Sequence, residues 1–422
     1  MNTMCFSSKQ ALKVLILLIS IITVFHFESV SRVSITDLYP HPNVMWEDRN
    51  GNILRWIPDK NGERHSWAPL SNIPDLVQKA FISAEDHRFF SHPGIDVLAI
   101  LRAVKSNLTE GRIVSGASTL TQQLSRMSYP RKRTYYDKLV EVVRSLRIEW
   151  MLDKDQILEL YLNRVPLGNN LLGIKAGSMV YFGKALSRLT NSEAALLASL
   201  PKAPGKLNPY GNNFHSLIQR KGWVLEQMFK YGHVSSSDLE ASLQSTPFIK
   251  PKYFPFKAPH FIDNVLRVSE KRIQTTTIDL KLQIRVEKIL KSHQFRLKRK
   301  SARQASVVIL DNKNSEVLSL VGSIEYSKRH QGFNNGAKAL RSPGSTLKPF
   351  LFTQALDSGL STATVLEDIE KNYISPQGAY RPVNFNKKSY GPVSMRNALG
   401  NSLNQTAVSL LNTIGYSSFY KT

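Results

Sequence analysis

The sequence predicts a multidomain chain of α and α+β character: an N-terminal membrane helix, an all-α domain and then an α/β domain. Three observations predict it. Ala11 to Phe27 is almost wholly apolar. From about 70 to 235 apolar residues recur at helical spacing, with no convincing run of strands. Beyond a stretch rich in Pro, Lys and Phe at Pro247–Pro259, strand patterns at 274–279, 305–310 and 317–321 alternate with helical ones. With 422 residues the chain has room for two or three domains and a proper core.

The apolar run is near the lower length limit for a membrane helix. Lys9 and Lys13 mark its cytoplasmic end, which places the rest outside. No small-residue cleavage site follows Phe27, so a retained anchor is expected rather than a cleaved signal peptide. The one cysteine, Cys5, then lies on the cytoplasmic side, and no internal disulfide can form. The expected division is a cytoplasmic tail at 1–10, an anchor at 11–29, a juxtamembrane connector at 30–69, the helical domain at 70–235, a linker at 236–300 and the α/β domain at 301–422.

The helical domain opens with Leu76, Val77, Ala80, Phe81 and Ala84 on one face, Pro74 at the start and Pro93-Gly94 beyond the end. Glu85 sits where this helix meets a loop. A carboxylate backed by apolar packing has its pKa raised toward the range of a general base. The competing reading is a surface Glu85-Asp86 pair that ends a helix. Next, Val97, Leu98, Ala99, Ile100 and Leu101 make a helix apolar on most sides. Core packing is expected for it, with dipping into the outer membrane leaflet as the alternative.

In Gly116-Ala-Ser-Thr-Leu-Thr-Gln-Gln123, Ser118 is expected to cap a helix through Gln123, and the backbone amides to form an anion site. Arg126, Arg131, Lys132, Arg133, Lys138, Arg144 and Arg147 follow, with Asp137 and Glu141 as the acids among them. Leu139, Val142, Val143 and Leu146 give this stretch a helical apolar stripe, and Lys138 and Glu141 share a face. Such a run also suits a plain solvated face. A helix from Asp153 runs through Ile157 to Asn163, and Thr190-Asn-Ser-Glu193 is a capping box.

The chain carries 56 Lys+Arg against 32 Asp+Glu, a formal charge of +24, which favours an anionic partner. No zinc-ligand spacing or nucleic-acid signature is present, so no nucleic acid is expected. Transfer of a sugar from a lipid diphosphate needs one base and a positive site for the leaving group. A glycosidase wants a paired acid and base across the bond. One placed carboxylate, a basic helix and a membrane anchor fit the former.

Glu85-Asp-His-Arg-Phe-Phe-Ser-His-Pro-Gly94, Gly116–Gln123 and Ile157-Leu-Glu-Leu-Tyr-Leu-Asn163 resemble, in this order and spacing, the peptidoglycan glycosyltransferase family. Ser345-Thr-Leu-Lys348 and Ser402-Leu-Asn404 resemble the first two transpeptidase motifs. Over roughly 10–422 the chain resembles the bifunctional class A penicillin-binding proteins, of the 1C type.

The resemblance implies a lysozyme-like glycosyltransferase domain that polymerises lipid II by inverting transfer, releasing undecaprenyl diphosphate. It implies Glu85 as the base, Glu141 as the second glutamate, which organises the diphosphate and its metal, and Lys138 as its basic partner. Asp86, Phe89, His92, Gly94, Ser118, Thr119, Gln122, Gln123 and Asn163 would shape the cleft and bind substrate. A divalent cation, magnesium or manganese, is the implied cofactor. No side-chain metal site is expected; Glu85, Asp86, His87 and His92 form the alternative, with His92 read as structural.

One departure is Asp137, where many relatives carry Arg, with Arg131, Arg133 and Arg144 near enough to compensate. The implied partners are lipid II, the growing glycan strand, the bacterial inner membrane and other cell-wall synthesis proteins, with the catalytic domains periplasmic.

In the second domain Ser345 is the implied nucleophile, Lys348 its base, and Ser402 and Asn404 the relay and substrate holders. The family's Lys-Thr-Gly strand is missing, since Lys421-Thr422 comes too soon after Asn404 and lacks the glycine. An incomplete transpeptidase half, inactive or poorly folded, is therefore expected. The rival from another class is a catalytically silent lipid II-binding or scaffold relative.

Overall fold

The computed structural model describes residues 27–111, 116–132, 134–266, 273–328, 331–375 and 378–421. The expected tail and nearly all of the expected anchor, with Cys5, lie outside the described residues, as does Arg133. Among the described residues no helix is long and apolar enough to cross a membrane. The chain divides into two compact units, Met1–Ala337 and Lys338–Thr422.

The first unit is built on α1 (Asp75–Glu85), α2 (Val97–Thr109), α3 (Leu120–Ser128), α4 (Tyr135–Met151), α5 (Lys154–Arg164), α6 (Asn191–Ser199) and α7 (Phe214–Lys230). Helix α6 is its centre: every residue from Ser192 to Ser199 is buried. The expected capping box starts it, with Thr190 and Glu193 satisfying each other's backbone amides. Helix α1 packs on α6 and α7 through Val77, Ala80, Phe81 and Ile82. That burial fixes the end of α1, and so the position of Glu85. The box at Asp153 and Gln156 begins α5 in the same way.

Two helices present their apolar residues differently from the sequence expectation. Helix α2 was expected in the core, but Val97, Leu98, Leu101 and Val104 are at least half exposed and Leu108 is 78% exposed. Among the described side chains of this helix, Ala99 and Ala103 are the buried ones. In α4 the buried stripe is Val140, Arg144, Ser145 and Ile148. Leu139 and Leu146 of the expected apolar stripe are exposed, as is Trp150. Periodicity reports that a helix has an apolar stripe, not which neighbour covers it.

The 30–69 connector holds β1 (Val44–Glu47), β2 (Ile53–Ile57) and β3 (Arg64–His65). Strand β3 pairs in parallel with β4 (Leu171–Leu172). Strands β1 and β2 are antiparallel, and β1 also pairs in parallel with β5 (Ile273–Thr275), giving the order β2-β1-β5. Trp46 and Leu54 pack here with Ala258, Ile262 and Ile278. The segment expected as a linker, 236–300, is largely ordered elements: α8 (Ser236–Gln244), α9 (Pro259–Val265), β5 and α10 (Leu280–Arg299). The buried ammonium of Lys221 joins α8 to the helical core, donating to Ser192 Oγ and to the carbonyls of Ser242 and Ser245. The hairpin of β6 (Val307–Leu310) and β7 (Val317–Val321) packs on α10. There the Gln283 side chain accepts from Leu320 N and Ser319 Oγ and donates to Leu320 O.

The second unit has a core of Leu351, Phe352, Ala355, Met395, Ala398, Leu403, Ala407 and Leu410. These come from α11 (Lys348–Asp357), α12 (Met395–Gly400), α13 (Asn404–Ile414) and the loop before α13. Strands Val365–Asp368 and Gly391–Ser394 form one antiparallel pair, and Tyr373–Ser375 and Gly378–Tyr380 another.

Candidate active site

Helix α3 joins the two halves of the site. Three positions on it, Gln122, Gln123 and Arg126, reach three different partners.

Gln123 Nε2 donates to Glu85 Oε2 at 2.7 Å. The other glutamate oxygen, Oε1, is buried with no hydrogen-bond partner. Glu85 as a residue is only half-buried, while Oε1 of its carboxylate is withdrawn from water. Burial therefore pushes its pKa up; the Gln123 bond and the charges of Arg220, Lys202 and Arg126 oppose this without reversing it. Tyr161, fully buried beside it, keeps its proton because burial holds its pKa well above 10, and its hydroxyl donates to Gln123 Oε1 at 3.4 Å. The result is one carboxylate able to accept a proton, with an unpartnered oxygen.

On the next face of α3, Gln122 Oε1 accepts from Lys138 Nζ at 3.1 Å. The same ammonium donates to Ser118 Oγ at 3.2 Å and to Glu141 Oε1 at 2.5 Å. One turn along, Arg126 grips both oxygens of Glu141, at 3.0 and 3.2 Å. Ser118, Arg126, Lys138 and Glu141 line a cavity of about 730 Å³ whose walls also include Tyr129, Arg131, Asp137 and Arg144. Asp137 is held by Arg131 at 2.5 Å and by the Thr134 hydroxyl. Those two bonds, Thr134's first, keep its pKa below the ordinary carboxylate value. Arg131 is thereby neutralised and does not compensate for the missing positive charge.

Several expected binders are instead buried supports. Thr119, not Ser118, caps α3: its Oγ1 accepts from Gln122 N and donates to Gly94 O. The amide of Leu120 donates to Asp86 Oδ2 at 3.0 Å. The anion expected at this helix start is thus the chain's own Asp86, and the site is filled from within. His92 is buried, and its Nε2 bonds Asp86 at 3.0 Å. Phe89 is fully buried. Asn163, 1% exposed, donates to the carbonyls of Ala68 and Glu159 and accepts from Ala68 N, so it fixes the loop before α1 rather than facing substrate. Gly94 (φ +84°) lies so close to α4 that a Cβ would sit 2.8 Å from Glu149 Cγ.

The alternative metal set does not assemble. His87 stacks on Tyr231 with centroids 4.6 Å apart. Asp86, His92 and Asp96 do bring ligand atoms within 4.8 Å of one another. However, Asp96 is held by the Arg88 guanidinium on both oxygens and by Ala99 N. A cation is already there. Glu141 is likewise engaged on both oxygens, so neither set fits a resident divalent ion.

Lys202 and Arg220 were not singled out from the sequence. They lie over 100 residues from Glu85 in no shared motif, and only the packing of α7 on α1 brings Arg220 near.

In the second unit Lys348 Nζ donates to Ser402 O at 2.6 Å, Ser402 Oγ at 3.1 Å and Asn404 Oδ1 at 2.6 Å. Burial lowers the Lys348 pKa. Ser345 lies in an exposed 3₁₀ turn, Gly344–Leu347, and among the described residues its hydroxyl has no hydrogen-bond partner. Three of the four expected residues are therefore brought together by direct bonds.

Residues 50–229 match the transglycosylase family model, and residues 305–422 match the penicillin-binding protein transpeptidase domain. With these two domains in this order, the chain belongs to the class A penicillin-binding proteins. It is 38% identical to penicillin-binding protein 1C of Escherichia coli K12, over 87% of this chain and 47% of that protein. It is 31% identical to penicillin-binding protein 1A of Aquifex aeolicus, over 84% of this chain and 61% of that protein. Penicillin-binding protein 2D of Bacillus subtilis is 32% identical, with 86% and 54% covered. The chain therefore spans about half the length of these relatives. The crystal structure of penicillin-binding protein 1A from Haemophilus influenzae aligns over 90% of this chain and 62% of that chain, with a TM-score of 0.46 and 20% identity.

Proposed function

We propose that the helical unit is a peptidoglycan glycosyltransferase, lysozyme-like in fold, that polymerises lipid II. The observation that carries this reading is the span of α3, which joins a carboxylate of raised pKa at Gln123 to a cationic cavity at Gln122 and Arg126.

In this reading Glu85 takes the proton of the acceptor's 4-hydroxyl through its free Oε1. The acceptor oxygen then bonds to the anomeric carbon of the donor sugar with inversion. The bond from that carbon to the diphosphate breaks, and undecaprenyl diphosphate leaves. Its developing negative charge meets Lys138 and Arg126, held in place by Glu141 before the reaction begins. No step needs a second carboxylic acid, because the leaving group is already an anion. A divalent cation remains the family expectation; the candidate acids are engaged by Arg88, Arg126 and Lys138, and the cations that meet the diphosphate are those of the protein.

A lipid-linked donor also gives the exposed apolar residues a role. Leu98, Leu101 and Leu108 of α2, with Leu139, Leu146 and Trp150 of α4, suit contact with the outer leaflet of the inner membrane. The anchor at 11–29 would hold the unit there. The experiment is to incubate the full chain with labelled lipid II. Glycan growth with stoichiometric release of undecaprenyl diphosphate is the expected result; lipid II binding without growth would contradict it.

A further inference from the structure

The cations of the cavity differ in what holds them. Arg126 and Lys138 share Glu141, and Arg131 is held by Asp137. Arg147, one turn beyond the cavity on α4, pairs with Glu28. Arg144 lines the same cavity, and among the described residues it has no carboxylate partner. It is 7% exposed. Its Nη2 donates to the backbone carbonyl of Val30, and its guanidinium lies 4.2 Å from the centroid of the Tyr129 ring. Its Nε is buried and has no hydrogen-bond partner. A buried guanidinium bonded only to a carbonyl and a ring face, with Asp137 nearby but committed to Arg131, lacks a paired anion, and its unbonded N–H is a donor without an acceptor.

The groups that hold Arg144 come from the segment preceding the helical core. Ser34 N donates to the Tyr129 hydroxyl at 2.8 Å, and that hydroxyl donates to Asp37 Oδ2 at 3.1 Å. The ring under Arg144 is therefore pinned by residues 34 and 37, and the guanidinium itself by residue 30.

We propose that Arg144 is a further anion-binding residue of this cavity, contacting the diphosphate of the lipid-linked donor, and that residues 30–37 are positioning residues that hold it there. This rests on the glycosyltransferase reading and adds a residue to it. A planar guanidinium offers parallel donors to a phosphate, which a lysine does not reproduce.

The test uses the full chain in detergent micelles, with farnesyl diphosphate, inorganic pyrophosphate and farnesol as probes. Arg144→Met keeps an unbranched side chain over Tyr129 and removes the charge. It should weaken farnesyl diphosphate and pyrophosphate about tenfold, the loss of one charge-assisted bond, and leave farnesol unchanged. The KM for lipid II should rise about tenfold with kcat within about twofold, and Arg144→Lys should recover part of the loss. Loss confined to farnesyl diphosphate would assign the anion to the lipid-linked form; equal loss for pyrophosphate would assign it to the diphosphate itself. Either supports the proposal. Unchanged diphosphate affinity in Arg144→Met, or equal weakening of farnesol, would overturn it. If Arg144→Met does not fold, the Nε–H resonance of Arg144 in the unmutated protein decides: it should shift on adding farnesyl diphosphate, and no shift at saturation overturns the proposal. Polymerisation by the unmutated chain with an unchanged KM in Arg144→Met would remove this assignment alone. Diphosphate binding through Arg144 without polymerisation would instead remove the glycosyltransferase reading.

Discussion

Gln123 Nε2 lies 2.7 Å from Glu85 Oε2, and that bond ties the proposed base to the helix that builds the anion cavity. It is the largest influence lowering the Glu85 pKa against the effect of burial. Gln123→Leu should therefore move the acid limb of the polymerisation rate to higher pH. A lost hydrogen bond to a carboxylate corresponds to about one pH unit, so the rate on that limb should fall about tenfold. A pH profile of kcat checks this; an acid limb that stays in place would show that the bond does not tune the base.

The same shift has a signature in stability. Burial raises the Glu85 pKa above 4.5, so between 4.5 and the raised value the native chain holds a proton that the unfolded chain has released. Stability from this group therefore falls as pH rises through that window. Glu85→Gln removes the effect. Its stability relative to the unmutated chain should rise with pH from 4.5 and level off above the raised value. Urea unfolding across pH measures it, and a variant that loses relative stability over that range would contradict the burial of the carboxylate.

Lys138 meets Ser118, Gln122 and Glu141 at once. Lys138→Met should raise the lipid II KM about tenfold, since a charged contact to the donor is lost. The fold should survive, because Lys138 is exposed and α4 is held by Val140 and Ile148. Steady-state kinetics beside a thermal melt separates the two effects.

Among the described residues the Ser345 hydroxyl makes no hydrogen bond to the Lys348 ammonium, which is engaged by Ser402 and Asn404. The serine is thus not activated as it stands. Labelled penicillin should leave no stable label on Ser345. A stoichiometric acyl-enzyme there, located by peptide mapping, would contradict this.

What the sequence revealed of the site was local. Glu85 at the end of an apolar face, the capping box at Thr190 and Glu193, and the Lys138–Glu141 pair each depend on residues within a turn or two, so spacing was enough to find them. The rest depends on which surfaces meet. The cap fell on Thr119 rather than Ser118 because Gly94, 25 residues earlier, supplies the carbonyl that orients its hydroxyl. Asp86 filled the helix start because the chain just after α1 comes within hydrogen-bond reach of the first residue of α3, which no spacing encodes. The exposure of α2 was legible only as the alternative to core packing, because an apolar stripe left exposed has the same period as one turned toward a core. Arg144 was legible as one of a run of cations, but its distinction from Arg131 and Arg126 lies wholly in their acidic partners.

The most direct measurement is lipid II polymerisation by Glu85→Gln, read beside its affinity for lipid II. The amide keeps the shape and the Gln123 neighbour but cannot take a proton. The account predicts unchanged affinity with chain growth reduced at least about a hundredfold, the usual scale for a lost general base. Chain growth at the unmutated rate would contradict it.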